Sequence, residues 1–239
     1  MKIYRVAMAS LLIFGAYGAG APLAKAQSSS GTGSSTTSQS VQPGQKYVKP
    51  DHAHKFRNYL FDSFGPYAIL GSAVAGGINQ ASGDRINGHG SGTPPEWGGG
   101  AQAYAQRFAS SFGINLTATT TRYVMAELFR EDTVYYRCEC SGFSHRLVHA
   151  LMSTVAARHG DDGRYRFSFP NISAPYAGTM TAALGWYPNR YEPSDGFRMG
   201  NYLLATYAGV NVAKEFIYGG PHTLMAHTPL KGITGSNKP

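Results

Sequence analysis

The sequence is poor in charge, in cysteine and in long apolar runs, and each shortage excludes something. Only 14% of its 239 residues are Asp, Glu, Lys or Arg, too dispersed to form the basic stripe of a nucleic-acid binder. Two cysteines, Cys138 and Cys140, cannot build a disulfide-dense miniature scaffold. Beyond residue 26 no stretch reaches about 18 apolar residues free of charge, so no transmembrane helix is expected there. One short alternating segment is also far from what a strand-built membrane barrel needs. The Gly-Lys-Ser phosphate loop, the Gly-x-Ser-x-Gly elbow and the His-Glu-x-x-His helix are all missing. No cofactor is therefore expected.

What is present begins with a targeting pattern. Lys2 and Arg5 precede an apolar run over 6–21, and Ala24-Lys25-Ala26 supplies the small-x-small pattern that a signal peptidase reads. Residues 1–26 thus read as a signal peptide, and the protein as exported, periplasmic or cell-envelope associated. Removing Lys2, Arg5 and Lys25 lowers the formal charge from +8 to +5. Residues 27–49 follow as a disordered Ser/Thr/Gly-rich tether, since a polar tract buries too little to offset its ordering entropy. A helical domain over 50–222 and a flexible tail over 223–239 complete the expected organisation.

The expected fold class is mainly α: a single bundle-like domain of about six or seven helices with one short extended segment. Phe56, Tyr59, Leu60 and Phe64 recur at helical spacing before Gly65-Pro66, and Leu70, Val74 and Ile78 mark a second helix. The Gly-rich stretch 84–95 reads as a loop. Helices are then expected over 96–112, over 116–131 with Val124 and Leu128 on one stripe, and from Phe143 through Leu147, Leu151 and Val155. Arg164–Phe169 alternates like a strand, and helices follow over 174–187 and 195–218. The last is apolar on most sides, so it is expected at the centre of the bundle, with Gly200 and Gly209 marking close crossings.

Two constellations could carry chemistry. Cys138-x-Cys140 with His145 and His149 gives C-x-C-x4-H-x3-H, and two His four apart share one helix face, a spacing that suits Zn. That face lies opposite the Phe143/Leu147 stripe, so it is expected to point away from the core. Arg137 and Arg146 nearby oppose a cation, and a solvated polar face is the competing reading. A Cys138–Cys140 disulfide would close a tight ring; the pair joined and the pair free are both open. The second constellation is Arg130-Glu131-Asp132-x-x-Tyr135-Tyr136-Arg137. Glu131 and Asp132 could work as an acid/base pair beside the anion-binding Arg137. A salt-bridged helix terminus over packed Tyr rings explains the same residues.

Certain fragments resemble a family of exported bacterial helical proteins that has no assigned activity. They are Trp97-Gly98, Tyr104-Ala105-x-Arg107-Phe108, Glu131-Asp132-x-x-Tyr135-Tyr136-Arg137, Arg146-x-x-x-Ala150, Asp162-Gly163-Arg164, Trp186-Tyr187-Pro188 and Asn211-x-x-x-Glu215-Phe216. The resemblance implies a signal peptide and a helical body, and it supplies no catalytic residue. Ser168-Phe169-Pro170, Tyr187-Pro188 and Pro193-Ser194-Asp195 are similar to pieces of acid-phosphatase-like membrane phosphatases. Those enzymes need a His after the Phe-Pro and a nucleophilic His, where this chain has Asn171-Ile172-Ser173 and Tyr191. The expected role is therefore an exported envelope protein that is structural or binding rather than catalytic. Its expected partner is an envelope component or protein, with at most peripheral membrane association and no nucleic acid. The alternative is an envelope hydrolase, metal-assisted or a degenerate phosphatase relative, using Glu131, Asp132, His145 and His149.

Overall fold

The structure is a computed structural model that describes residues 47–82 and 93–217, and it is mainly α. Helix α1, His52–Phe64, starts at Asp51, whose carboxylate accepts from the His54 N–H at 2.8 Å. Gly65 ends α1, and Pro66, with its φ already helical and no N–H to lose, opens α2, Pro66–Ser82. A single 3-10 turn, Pro95–Trp97, leads to α3, Gly100–Phe129. Arg130 closes α3 in the left-handed region at φ 56° and turns the chain into β1, Glu131–Asp132. After an irregular segment come α4, Phe143–Met152, then β2, Ala156–His159, and β3, Arg164–Phe167. Ser168 caps α5, Phe169–Gly185, by accepting from the Asn171 N–H. A reciprocal Glu192/Asp195 capping box opens α6, Pro193–Phe216.

Strands β1, β2 and β3 form an antiparallel sheet in that order, with Glu131 opposite His159 and Asp132 opposite Arg158. Helix α3 packs against α1, α2 and α5, while α5 also packs against α6, and α6 against α4. The buried apolar core is made largely of small side chains: Ala103, Ala118, Ala126, Ala150, Ala174, Ala182 and Ala183. Tyr187, Tyr191 and Met199 join Ala182 and Ala183, with Trp97 and Ile114 packed alongside. Small residues let backbones come close. A Cβ on Gly178 of α5 would stand 2.6 Å from the Ile114 carbonyl of α3 and 3.1 Å from Ala118 Cβ.

Several expectations are corrected here. The helices expected over 96–112 and 116–131 are one continuous 30-residue helix, α3, so the expected break between them does not hold. The extended segment is not alone: as β3 it pairs with β2, which pairs in turn with β1, and the three form a sheet. Helix α6 lies at the side of α5; Leu204 is only half-buried, Phe197 and Tyr202 are about half exposed, and Gly200 faces the ring of Tyr176, not a backbone. The tether ends earlier than expected, because Tyr47 and Lys49 are docked. The Tyr47 ring occupies the space above Gly163, at φ 61°, where any Cβ would collide with it, and Lys49 pairs with Asp161 at 2.7 Å. The signal over 1–26, the tether over 27–46, most of the loop over 84–95, and the tail over 223–239 lie outside the described residues.

The most general correction concerns which faces are buried. Phe56, Leu60 and Phe64 are 48%, 41% and 50% exposed, and Val124 and Leu128 are 49% and 72% exposed. On α4 the expected pattern is reversed: Phe143 and Leu151 face outward, while Arg146 and His149 turn inward beside the fully buried Ala150. Among the described residues, no helix is long and apolar enough to cross a membrane.

Candidate functional site

The polar residues picked out from the sequence collect at one corner, where the end of α3, the sheet, segment 133–142, α4 and the end of α6 meet. Segment 135–137 runs extended, and its side chains alternate. Tyr136 points to one carboxylate, Asp132, while Tyr135 points to another, Glu215, and Arg137 to the backbone carbonyl of Glu215.

Glu215 is fully buried. Its Oε2 accepts from Tyr135 Oη at 2.9 Å and from the Cys138 N–H at 3.3 Å, and its Oε1 accepts from Arg146 Nε at 2.8 Å. Its backbone carbonyl accepts from Arg137 at 2.7 Å and Arg146 at 2.5 Å. Burial pushes the Glu215 carboxyl up, but the donors from Arg146, Tyr135 and Cys138 outweigh it and hold the group below its ordinary value. Such a pair persists in the interior because nearly every lone pair has a donor.

Glu131 and Asp132 are 5% and 2% exposed. Glu131 accepts from Ser168 Oγ, and its backbone carbonyl accepts from Lys55 Nζ at 2.9 Å. Asp132 accepts from Tyr136 Oη and from the Val134 N–H at 3.0 Å. Burial raises both carboxyls above their usual range, against the lowering pull of those hydrogen bonds. Ser168, the first residue of the phosphatase-like fragment, is thus a helix cap that also ties α5 to β1. Arg137 does not serve Glu131 or Asp132; it reaches Glu215, and its Nε is buried without a partner.

Arg158, on β2, completes the corner. Its guanidinium lies 4.3 Å from the ring centroid of Tyr136 and 5.1 Å from those of Tyr47 and Tyr165, a geometry in which the ring faces attract the cation. Burial beside Asp132 pushes the Tyr47 hydroxyl up to about 12. A cavity of about 450 Å³ opens nearby, lined by residues 48–51, His54, Val134 and Tyr136, and does not reach Glu131, Asp132 or Glu215.

The metal candidates do not assemble. Cys138 and Cys140 are joined in a disulfide. His149 donates its Nε2–H to the Tyr136 carbonyl at 2.8 Å, the tautomer a carbonyl partner requires. His145 stands exposed on the outer side of α4. Among the described residues, no three His, Cys, Asp or Glu side chains are placed to hold a metal ion. The four residues of the hydrolase alternative do not converge either: Asp132 and His149 meet only through Tyr136, Glu131 turns to Ser168, and His145 faces out.

Glu215, Arg146 and Arg158 are not among the candidate site residues that the sequence singles out. A signal for Glu215 existed, because it is the only acid on α6 after Asp195. No family model, no curated protein and no solved structure matches the chain.

Proposed function

We propose that this chain is an exported protein of the cell envelope whose role is structural or binding, not catalytic. The observation that carries the reading is the division of its side chains. Glu131, Asp132 and Glu215 at the polar corner are buried and held by internal donors, and none of them lines the neighbouring cavity, whereas large apolar side chains on α1, α3 and α4 face outward. Carboxylates held this way organise a fold; outward apolar faces suit contact with another envelope component. The resemblance to exported helical proteins without assigned activity agrees with this reading.

Two measurements test it. Protein recovered from the exported fraction should begin at Gln27, and an intact Met1 would overturn the export reading. A screen of ester, phosphoester and glycoside substrates should show no turnover. A hydrolysis that Asp132→Asn abolishes while the circular dichroism spectrum is retained would overturn the non-catalytic reading.

A further inference from the structure

The Cys138–Cys140 disulfide has no part in that reading. It closes a loop of three residues, the size for which a cross-link removes the least entropy from the unfolded chain. Stability alone gives it little purpose. Both cysteines are partly exposed, in the segment that leads into α4. Directly after them α4 turns Phe143, Val148 and Leu151 outward, at 69%, 58% and 46% exposure. The geometry points to Cys138–Cys140 as a thiol–disulfide exchange site for cysteine-bearing extended polypeptides, with the outward face of α4 seating their apolar side chains.

The local hydrogen bonding sets the direction of attack. The Cys140 N–H donates to Cys138 Sγ at 3.3 Å, and such a bond strengthens when the sulfur carries negative charge. Cys138 is therefore the better leaving thiolate, and Cys140 Sγ the sulfur attacked. A peptide thiolate bonds to Cys140 Sγ, the Cys138–Cys140 bond breaks, and its electron pair stays on Cys138 Sγ. A second peptide thiolate then attacks the peptide sulfur of this mixed disulfide. The peptide disulfide forms and Cys140 leaves as a thiolate. The peptide has lost two electrons, and the chain has gained them as a dithiol after taking up two protons. An unfolded polypeptide fits the α4 face because it still exposes the apolar side chains that a folded one buries.

The test uses the purified, oxidised mature chain and two probes: a short peptide carrying two Cys among Leu and Phe, and reduced glutathione. Peptide thiols should disappear in step with the appearance of protein thiols, and early-quenched wild-type protein should carry glutathione on Cys140. Val148→Ser with Leu151→Ser should slow the peptide reaction about fivefold through lost apolar contact, leaving the glutathione rate unchanged. The reduced protein should keep its Tm within about 4 °C. A disulfide inert to both probes until the protein is denatured would overturn the proposal, as would reduction that unfolds the chain. Glutathione found first on Cys138 would overturn the direction of attack. An α4 variant that slows both probes equally, or neither, would remove the docking face.

Discussion

The helix crossings and the polar corner bury their interfaces by opposite means. Where α5 meets α3, Gly178 brings the α5 backbone up to the Ile114 carbonyl and the Ala118 and Ile114 side chains of α3. At the corner, Glu215, Arg137, Arg146, Asp132 and Arg158 fill the space with charge, matched by tyrosine hydroxyls and rings. Neither region relies on large aliphatic side chains. The first tolerates no added volume, because a backbone cannot step aside. The second tolerates no lost partner, because an unpaired buried charge has nowhere to turn. This contrast accounts for a fold whose big apolar residues are left to the outside.

The largest expected effect lies at the corner. Glu215→Ala should destabilise the protein by about 3–5 kcal/mol, since it strands Arg146 and Tyr135 together with the Cys138 N–H; urea denaturation measures it. Next comes the crossing: Gly178→Ala should cost about 1–3 kcal/mol, because the new methyl group meets the Ile114 carbonyl. A Gly178→Ala effect larger than that of Glu215→Ala would invert the ranking of the two regions.

pH should divide the corner further. Glu131 and Asp132 have folded values raised by burial, so the folded state holds their protons more tightly than the unfolded chain. Their contribution is complete below the unfolded carboxylate values and is lost as pH rises through the folded ones. Glu215 is lowered, so its contribution is present above the unfolded value and lost as pH falls through the folded one. Asp132→Asn should therefore gain stability relative to the wild type between about pH 4 and pH 8, as urea midpoints across that range would register. A difference that stays constant with pH would contradict a raised Asp132.

Smaller effects belong to residues outside both regions. Leu204→Ala, on the half-buried side of α6, should cost about 1 kcal/mol, well below a core truncation. Leu128→Ser, at a site 72% exposed, should change stability by no more than about 0.5 kcal/mol. A large loss at Leu128 would mean that the outward apolar face is covered within the chain itself.

Much of the helical layout could be read directly. The starts of α1 and α2 follow from Asp51 and Pro66, and that of α6 from Pro193 and its flanking acids. The expected break between 112 and 116 is absent, and Gly113, costly inside a helix, lies beneath the Trp186 ring, 3.3 Å from where its Cβ would be. The candidate residues Glu131, Asp132 and Arg137 were found in sequence as one cluster, yet in space they serve two separate carboxylate networks. Glu215 reaches its partners Arg146 and Tyr135 across 69 and 80 residues, a distance over which no local pattern carries information.

The sequence by itself determined that α is the dominant class, roughly which stretches are helical, and that Cys138 and Cys140 lie within two residues of each other. Periodicity, caps and proline act over a few residues, and that range is enough for such features. Tertiary structure alone decided which side of each helix faces in. A helical stripe of Phe, Leu and Val is buried only when the neighbouring helices leave room for it. Here Gly and Ala draw α3 and α5 too close for large side chains, and paired charges fill the corner beneath α4. Phe143 and Leu151 of the α4 stripe, and much of the stripe on α1, are left outside because that interior space is already filled.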